Sequence, residues 1–396
     1  MNNIEALSYI NALLAKMIEM KASDLFISAN FPPAFKIDGK MTPVTNQKLS
    51  DMHTKAFAYA LMSDKQKLNF EQEKEANFAV WPKEIGRFRV NVFVQQECVG
   101  MVLRVITTKI PNFDEMGLPN QLKEVMMAKR GLIILVGGTG SGKSTTLAAL
   151  IDYRNEHSYG HIITIEDPVE YIHPSKNCLI THREVGRDTL DWFPALKNTL
   201  RQAPDVILIG EIRDRETMEF ALNFAETGHL CMATLHANSA NQALDRILNF
   251  FPEERHAQLH MDLSLNLRAF VSQRLVPKKG GGRCAAIEIL LNSPLIADLI
   301  LKGETNMVKE AMAKSVEQGM QTFDQALFAL AEEGRISEDD ALRNSDSINE
   351  LRLKFKLHGK GAKLAKSDDR LSGLSLHEDE PKEEALTAEE MFKLAK

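Results

Sequence analysis

The chain has 396 residues, 44% of them hydrophobic and 26% charged, so it can fill the cores of two domains and leave a terminal segment. Its net charge of −6 argues against a protein whose main task is to coat DNA or RNA. The N-terminus has no basic, apolar signal segment, and no apolar run approaches the ~20 residues of a membrane span. These features predict a cytoplasmic protein.

The first 106 residues are predicted to form a small α+β domain. Apolar residues recur at helical spacing from Ile4 to Lys21. The segment Ala34–Lys40 alternates and contains an Asp-Gly pair, which is typical of a β-hairpin. Gly86–Val94 alternates again and predicts a strand. The stretch 107–112 that follows is interpreted as an interdomain linker.

Residues 113–357 are predicted to form a second domain with a mainly parallel sheet. Short apolar runs alternate here with helical stretches, as in βαβ units. The predicted strands are Leu132–Val136, Ile162–Ile165, Val206–Ile209 and Cys231–Leu235. After Ser264 the pattern predicts mostly helices, with Gly280–Gly282 as a turn between two parts.

The segment 358–396 is predicted to be mostly disordered, because it is rich in charge and poor in large apolar residues. Its last part, Ala388–Leu394, is compatible with a short amphipathic helix. Two interpretations stay open for it: a solvated tail, or a docking peptide for a partner.

One segment matches a complete phosphate-binding motif, G-x-x-x-x-G-K-[ST]. It follows a predicted strand and precedes a predicted helix, as the motif requires. Its glycines let backbone N–H groups point at phosphate oxygens, while Lys143 faces the β- and γ-phosphates and the Ser144 hydroxyl is predicted to coordinate Mg²⁺. The predicted ATP-binding residues are Gly137, Gly138, Thr139, Gly140, Ser141, Gly142, Lys143, Ser144 and Thr145.

Two further strand ends carry acids. The run Asp205–Glu211 has the form of a Walker B element, and Glu211 is predicted to hold Mg²⁺ through water. A second acidic turn follows Ile165, and Glu166, Asp167 and Glu170 are the candidates there for the carboxylate that accepts a proton from water.

The segment Gly228–Ala237 brackets another short strand with His229 and His236. Spacing alone leaves open whether these histidines are structural or catalytic. Metal binding is less favoured, because no third ligand stands at a supporting spacing. The four cysteines contain no Cys-x-x-Cys pair, which argues against a structural zinc site and a disulfide framework.

These four elements, in this order, resemble the secretion/type IV pilus ATPase family. Lys21–Leu25, Arg87–Asn91 and Gly319–Asp324 add to the resemblance, which extends over most of the chain. It implies an α/β protein: a small PAS-like α+β N-terminal domain followed by a RecA-like P-loop ATPase domain with a helical C-terminal part. Within the family the chain is similar to accessory ATPases of the retraction branch, since Pro294–Glu304 replaces the Ala-Ile-Arg-type helix start of the main retraction motor.

The resemblance also implies roles for individual residues. It implies that Glu170 is the general base, that Glu211 supports Mg²⁺, and that His229 senses or positions the γ-phosphate. The arginines implied to close on the phosphates from the N-terminal domain are Arg87, Arg89 and Arg104. The chain departs from many relatives at 95–98, where Gln-Gln-Glu-Cys stands in place of another arginine.

The function implied by the resemblance is Mg²⁺-dependent ATP hydrolysis that drives or assists pilus retraction. The expected partners are further copies in a homohexamer, a paralogous retraction ATPase and an inner-membrane platform protein, which would hold the protein at the membrane. An alternative is an ATP-binding adaptor that supports the paralogue with little force of its own. A nucleic-acid translocase is disfavoured, because the chain is acidic and has 2 Trp and 5 Tyr for stacking.

Overall fold

The computed structural model describes residues 2–37, 39–106 and 109–359. The predicted disordered segment from residue 360, including the short helix at Ala388–Leu394, lies outside the described residues. So do Thr107 and Thr108 of the predicted linker. Among the described residues, no helix combines the length and the apolar character that a membrane crossing requires.

The first part of the chain folds into an antiparallel sheet covered by helices. Its strands are β1 Asp24–Ile27, β2 Ala34–Ile37, β3 Lys40–Pro43, β4 Glu75–Val80, β5 Arg87–Gln95 and β6 Cys98–Ile106, in the spatial order β3-β2-β1-β6-β5-β4. Its helices are α1 Asn3–Glu19, α2 Asp51–Leu61 and α3 Asp64–Glu73. Each helix begins at a capping box, formed by Asn2, Ser50 and Ser63. The predicted hairpin is present, with Ile37 paired to Lys40.

The second part is built on a mainly parallel sheet. Its strands are β7 Gly131–Val136, β8 Gly160–Glu166, β9 Cys178–Glu184, β10 Val206–Ile209, β11 Leu230–Leu235, β12 Leu267–Pro277 and β13 Arg283–Leu291. Their spatial order is β13-β12-β7-β11-β10-β8-β9, and within it β13 pairs antiparallel to β12. All four strands predicted for this region lie in the parallel part.

Helices cover both faces of this sheet and continue beyond it. They are α4 Gln121–Met126, α5 Lys143–His157, α6 Trp192–Thr199, α7 Arg215–Glu226, α8 Ala240–Leu248, α9 His256–Asn266, α10 Pro294–Lys302, α11 Thr305–Lys314, α12 Phe323–Glu332, α13 Glu338–Asn344 and α14 Ile348–His358. Along β7, Leu132 and Ile134 face one hydrophobic cluster while Ile133 and Leu135 face another. The sheet is therefore buried on both faces, which explains its continuous apolar strands.

The prediction of mostly helical structure after Ser264 is wrong for residues 267–291. These residues form the long strands β12 and β13, and Gly280–Gly282 is the turn between them. The buried run Ala269–Ser272 has no visible alternation, because both faces of β12 are covered. Periodicity alone does not separate such a strand from a buried helix.

The parallel strands place the candidate site. In parallel sheets the carboxyl ends of neighbouring strands lie at one edge, where loops are free to bind ligands. The predicted phosphate loop follows β7, and the two acidic segments follow β8 and β10. Since β8 and β10 are neighbours and β11 separates β10 from β7, these segments converge at one edge of the sheet.

Candidate nucleotide-binding site

The loop between β7 and α5 follows a path that requires glycine at several positions. Gly140 and Gly142 have φ angles of 76° and 88°, in the left-handed region that glycine favours. A Cβ atom on Gly137 would lie 2.4 Å from Ser141 Oγ and 2.8 Å from the Gln273 carbonyl oxygen. The backbone path and the close contacts of the loop therefore require glycine at 137, 140 and 142.

Lys143 is buried at the N-terminus of α5, directly after this loop. Its ammonium group donates hydrogen bonds to the carbonyl oxygens of Gly137 at 2.6 Å and Gly138 at 3.0 Å. Burial lowers the pKa of Lys143, and the nearby charge of Glu211 opposes that shift. The helix adds its positive N-terminal end, so this place favours an anion such as phosphate.

A cavity of about 310 Å³ opens in front of the loop. Its lining combines the loop, the two acidic strand ends and side chains of both parts of the chain. Among the lining residues are Thr139, Gly140, Lys143, Ser144, Glu166, Asp167, Glu170, Tyr171, His173, Glu211, Arg213, Thr234, His236 and Arg89. The structure therefore brings all the predicted acids together with the lysine and the serine of the loop.

Glu211 follows β10 and is held from both sides. Its Oε1 lies 3.2 Å from Nε2 of His236, and its Oε2 accepts a hydrogen bond of 2.8 Å from Nε of Arg213. The same Arg213 approaches Asp167, with 3.8 Å between its Nη1 and Oδ2. These contacts orient the Glu211 carboxylate and connect it to the acidic turn after β8.

The acidic turn holds two carboxylates in different environments. Burial of the Glu166 carboxyl group raises its pKa to about 7, and the charge of Glu170 adds to the shift, while hydrogen bonds from Thr164 and from the N–H of Glu170 oppose it. The N–H of Glu170 donates to Oε2 of Glu166 at 3.3 Å. The Glu170 side chain is exposed to the cavity, where water can reach it.

The two histidines around β11 lie at opposite ends of that strand. His236 follows the strand and lines the cavity beside Glu211. His229 precedes it, and its ring contacts Thr227 and the carbonyl oxygen of Phe224. A six-residue strand separates them by about 20 Å. The structure therefore does not bring His229 to this site, contrary to the role implied for it, and places His236 there instead.

The three arginines of the first part also differ in position. Arg89 lines the cavity. Arg87 is buried and pairs with Glu184, and it also donates to the carbonyl oxygen of Val169. Arg104 pairs with Asp24 of its own sheet, at 2.7 Å between Nε and Oδ1. Within this chain, Arg87 and Arg104 are thus engaged away from the cavity, and Arg89 alone of the three faces it.

Sequence reasoning gave no role to several residues that shape the site. Arg213 holds Glu211, and a signal for it was present in the Gly-Glu-x-Arg spacing after the Walker B strand. The Tyr171 hydroxyl lies 3.2 Å from Oγ1 of Thr145. Gln273 on β12 contacts the phosphate loop, although it is more than a hundred residues away in sequence. Such a contact leaves no local pattern in the sequence.

A model of a protein family, described as type II/IV secretion system protein, matches residues 2–339. The chain belongs to the type II/IV secretion system protein family. The predicted resemblance is thereby confirmed.

Individual members of the type II/IV secretion system protein family are closely similar in sequence to this chain. The type IV pilus ATPase PilU of Pseudomonas aeruginosa is 55% identical over 372 residues, covering 93% of this chain and 97% of that protein. The type IV pilus retraction ATPase PilT of the same organism is 43% identical over 332 residues, covering 84% and 96%. A crystal structure of the pilus retraction motor PilT with bound ADP matches at a TM-score of 0.82 and 40% identity, over 87% of this chain and 99% of that one. These matches confirm the predicted fold class.

Proposed function

We propose that this chain is an ATPase that drives or assists retraction of type IV pili by hydrolysing ATP to ADP and phosphate. The observation that carries the proposal is the convergence, in one cavity, of the phosphate loop with the acids that follow β8 and β10. Relatives named as a type IV pilus ATPase and as a type IV pilus retraction ATPase, matched over most of their length, support the same conclusion.

The residues of the cavity fit a nucleoside triphosphate. The loop presents glycines at positive φ, and Oγ of Ser141 is buried without a hydrogen-bond partner. Lys143 supplies a positive charge beside the helix N-terminus, which suits the β- and γ-phosphates. Arg89 adds a second cation from the first part of the chain. We assign these residues to phosphate binding.

The same cavity also fits Mg²⁺ bound together with the nucleotide. Among the described residues, no group of three or more His, Cys, Asp or Glu side chains is arranged to hold a metal by itself. Mg²⁺ at ATP sites needs only one or two protein groups, because phosphate and water oxygens complete its shell. The Ser144 hydroxyl and the Glu211 carboxylate are suited to that task. When bound, Mg²⁺ neutralises charge that develops on the phosphates.

The protein's own groups then perform hydrolysis as follows. Glu170, exposed in the cavity, accepts a proton from a water molecule whose oxygen attacks the γ-phosphorus. The bond from the γ-phosphorus to the oxygen it shares with the β-phosphate breaks, which yields ADP and phosphate. Lys143 and Arg89 stabilise negative charge on the phosphate oxygens. His236 and Arg213 keep Glu211 oriented through their contacts with its two oxygens.

The assembly proposed for this activity is a homohexameric ring at the cytoplasmic face of the inner membrane. Its proposed partners are the pilus platform protein and a paralogous retraction ATPase, as the resemblance to both PilU and PilT suggests. Movement of the first part of the chain relative to the second would pass the energy of hydrolysis to the platform.

The first experiment is ATP turnover by the purified full-length chain and by a Glu170→Gln variant, each alone and mixed with the paralogous retraction ATPase. Removal of a general base should lower kcat about 10²- to 10⁴-fold. Nucleotide binding, followed with a fluorescent ADP analogue, should persist, because the loop is untouched. Glu254→Gln, at an exposed position outside the lining of the cavity, is the matched control.

Each outcome of this experiment separates the proposal from its alternative. Turnover that depends on Glu170 supports a hydrolysing subunit. Tight nucleotide binding with no turnover by the chain alone, and no turnover in the mixture beyond that of the paralogue, would instead favour the ATP-binding adaptor. Full turnover by the Glu170→Gln variant would indicate that the base is Glu166 or Asp167, the other acids of the turn.

A further inference from the structure

Arg87 connects the two parts of the chain. It begins β5 in the first sheet, yet its side chain is only 3% exposed, because it packs against the turn after β8 and the end of β9. Its guanidinium group donates to the carbonyl oxygen of Val169 and forms an ion pair with Glu184. In a strand, side chains two residues apart point to the same face, so Arg87 and Arg89 both face the second part.

Glu184 completes this contact from the other side. It is the last residue of β9, is 6% exposed, and accepts a hydrogen bond of 3.2 Å from the N–H of Val169. The two polar groups of the Val169 peptide backbone are thus held separately: Glu184 holds the N–H and Arg87 holds the carbonyl oxygen. Each of the two side chains also neutralises the other, as a buried ion pair must.

Val169 immediately precedes Glu170, the proposed general base. The N–H of Glu170 in turn donates to Glu166 at 3.3 Å. Three hydrogen bonds therefore fix the backbone on the amino side of the Glu170 side chain, and one of them comes from the first part of the chain. The Glu170 side chain itself is exposed, and none of the described hydrogen bonds involves its carboxylate.

We infer that Arg87 and Glu184 are positioning residues that make the orientation of Glu170 depend on where the first part of the chain lies. The inference rests on the proposed function, since it concerns the base of that reaction. Arg87 then acts through the backbone of Val169 and not on the nucleotide. A displacement of β5 would release the Val169 carbonyl oxygen and loosen the turn that carries the base.

The test compares Arg87→Met and Glu184→Gln with the unaltered full-length chain. Misplacement of a catalytic group lowers the rate constant of the chemical step, so we expect kcat to fall about 10- to 100-fold in both variants. Binding of the fluorescent ADP analogue should change less than about three-fold, because neither residue faces the phosphate loop. Arg87→Lys should not restore kcat, because an ammonium group lacks the planar fork that reaches both partners.

Hydrogen exchange supplies a readout that does not need turnover. The amides of Val169 and Glu170 should exchange faster in both variants, because Arg87→Met removes the hydrogen bond to the Val169 carbonyl oxygen and Glu184→Gln replaces the charged acceptor of the Val169 N–H by a weaker neutral one. Arg352→Met on the exposed face of α14 and Glu254→Gln are the matched controls, and both should behave like the unaltered chain. If Arg87→Met fails to fold, the nearly isosteric Glu184→Gln change decides the question.

The results that would overturn the inference are distinct from those against the proposed function. If Arg87→Met weakens nucleotide binding as much as it lowers turnover, while Glu184→Gln behaves like the unaltered chain, Arg87 contacts phosphate and the inference fails. Unchanged exchange at Val169 and Glu170 in both variants would also refute it. Absence of turnover in the unaltered chain would contradict the proposed function, and the exchange measurement would still decide the positioning role.

Discussion

The titratable side chains of the nucleotide site lie in different environments. Burial lowers the pKa of Lys143 and raises that of Glu166, so each shift disfavours the charged form. Glu211 is held by His236 and Arg213, and Glu170 remains exposed. The four groups therefore differ in environment: Lys143 is buried, Glu166 is partly buried, Glu211 is held by two side chains, and Glu170 is exposed.

Glu166 should make stability depend on pH. Its pKa of about 7 in the folded protein lies above the ordinary value of 4.5, so between these values the folded state holds a proton that the unfolded chain has lost. Stability should therefore fall as pH rises through that window. Glu166→Gln removes this dependence and should stabilise the protein toward pH 8, by at most roughly 3 kcal/mol.

The measurement is the thermal midpoint of both proteins without nucleotide from about pH 5 to about pH 8. The advantage of Glu166→Gln over the unaltered chain should grow with pH. Glu254→Gln, at an exposed position, should shift the midpoint by a constant amount. Parallel pH curves for the Glu166→Gln variant and the unaltered chain would show that this carboxyl group titrates normally.

Among the elements, β12 has a role beyond the sheet. It is the parallel neighbour of β7, and its Gln273 reaches the phosphate loop that β7 leads into. The side chain is 3% exposed, accepts a 2.7 Å hydrogen bond from Oγ1 of Thr146 and donates one of 2.9 Å to the carbonyl oxygen of Ser141. A strand from late in the sequence thus fixes the loop to the start of α5.

Gln273→Ala should loosen the phosphate loop. The change leaves the Thr146 hydroxyl and the Ser141 carbonyl oxygen without their partner, which costs about 1–3 kcal/mol. We expect a lower thermal midpoint and weaker binding of the fluorescent ADP analogue. Gln258→Ala, on the exposed face of α9, is the matched control. Unchanged nucleotide affinity with a lowered midpoint would limit Gln273 to a structural role.

At the scale of the whole molecule, the site is assembled from distant segments. The first sheet contributes Arg89 to the cavity, and the C-terminal helices are tied to the central sheet by Asp346, which pairs with Arg274 of β12 at 2.7 Å and with Lys309 of α11 at 2.8 Å. Phe355 on α14 belongs to the last hydrophobic cluster. The packed cores of the described residues therefore end just before residue 360.

A chain shortened after Gly359 should keep its fold and its ATPase activity. Because no described core residue is removed, the thermal midpoint should stay unchanged and turnover should stay within about two-fold. A much larger loss of turnover would show that residues 360–396 contribute to the site or its assembly. Loss of pilus retraction in cells with turnover intact would support the docking peptide interpretation over the solvated tail.

The phosphate loop, the acidic strand ends and the parallel strands that carry them could all be predicted from the amino-acid sequence. Each of these is a local pattern whose chemistry is complete within about ten residues, so neighbouring residues suffice to predict it. Predictions that depended on contacts between distant segments of the chain were less successful. Most residues of β12 and β13 are buried, so the sequence of this hairpin has no alternation that would distinguish it from a buried helix.

Only the packed structure shows which of two side chains of the same type reaches the site. His229 and His236 flank the same strand, and the direction of that strand places His236 at the phosphate edge. Arg87 and Arg89 share one face of β5, but Arg87 meets Glu184 of another sheet while Arg89 reaches the cavity. Such choices depend on contacts between segments far apart in the chain, and those contacts exist only after the two sheets have packed.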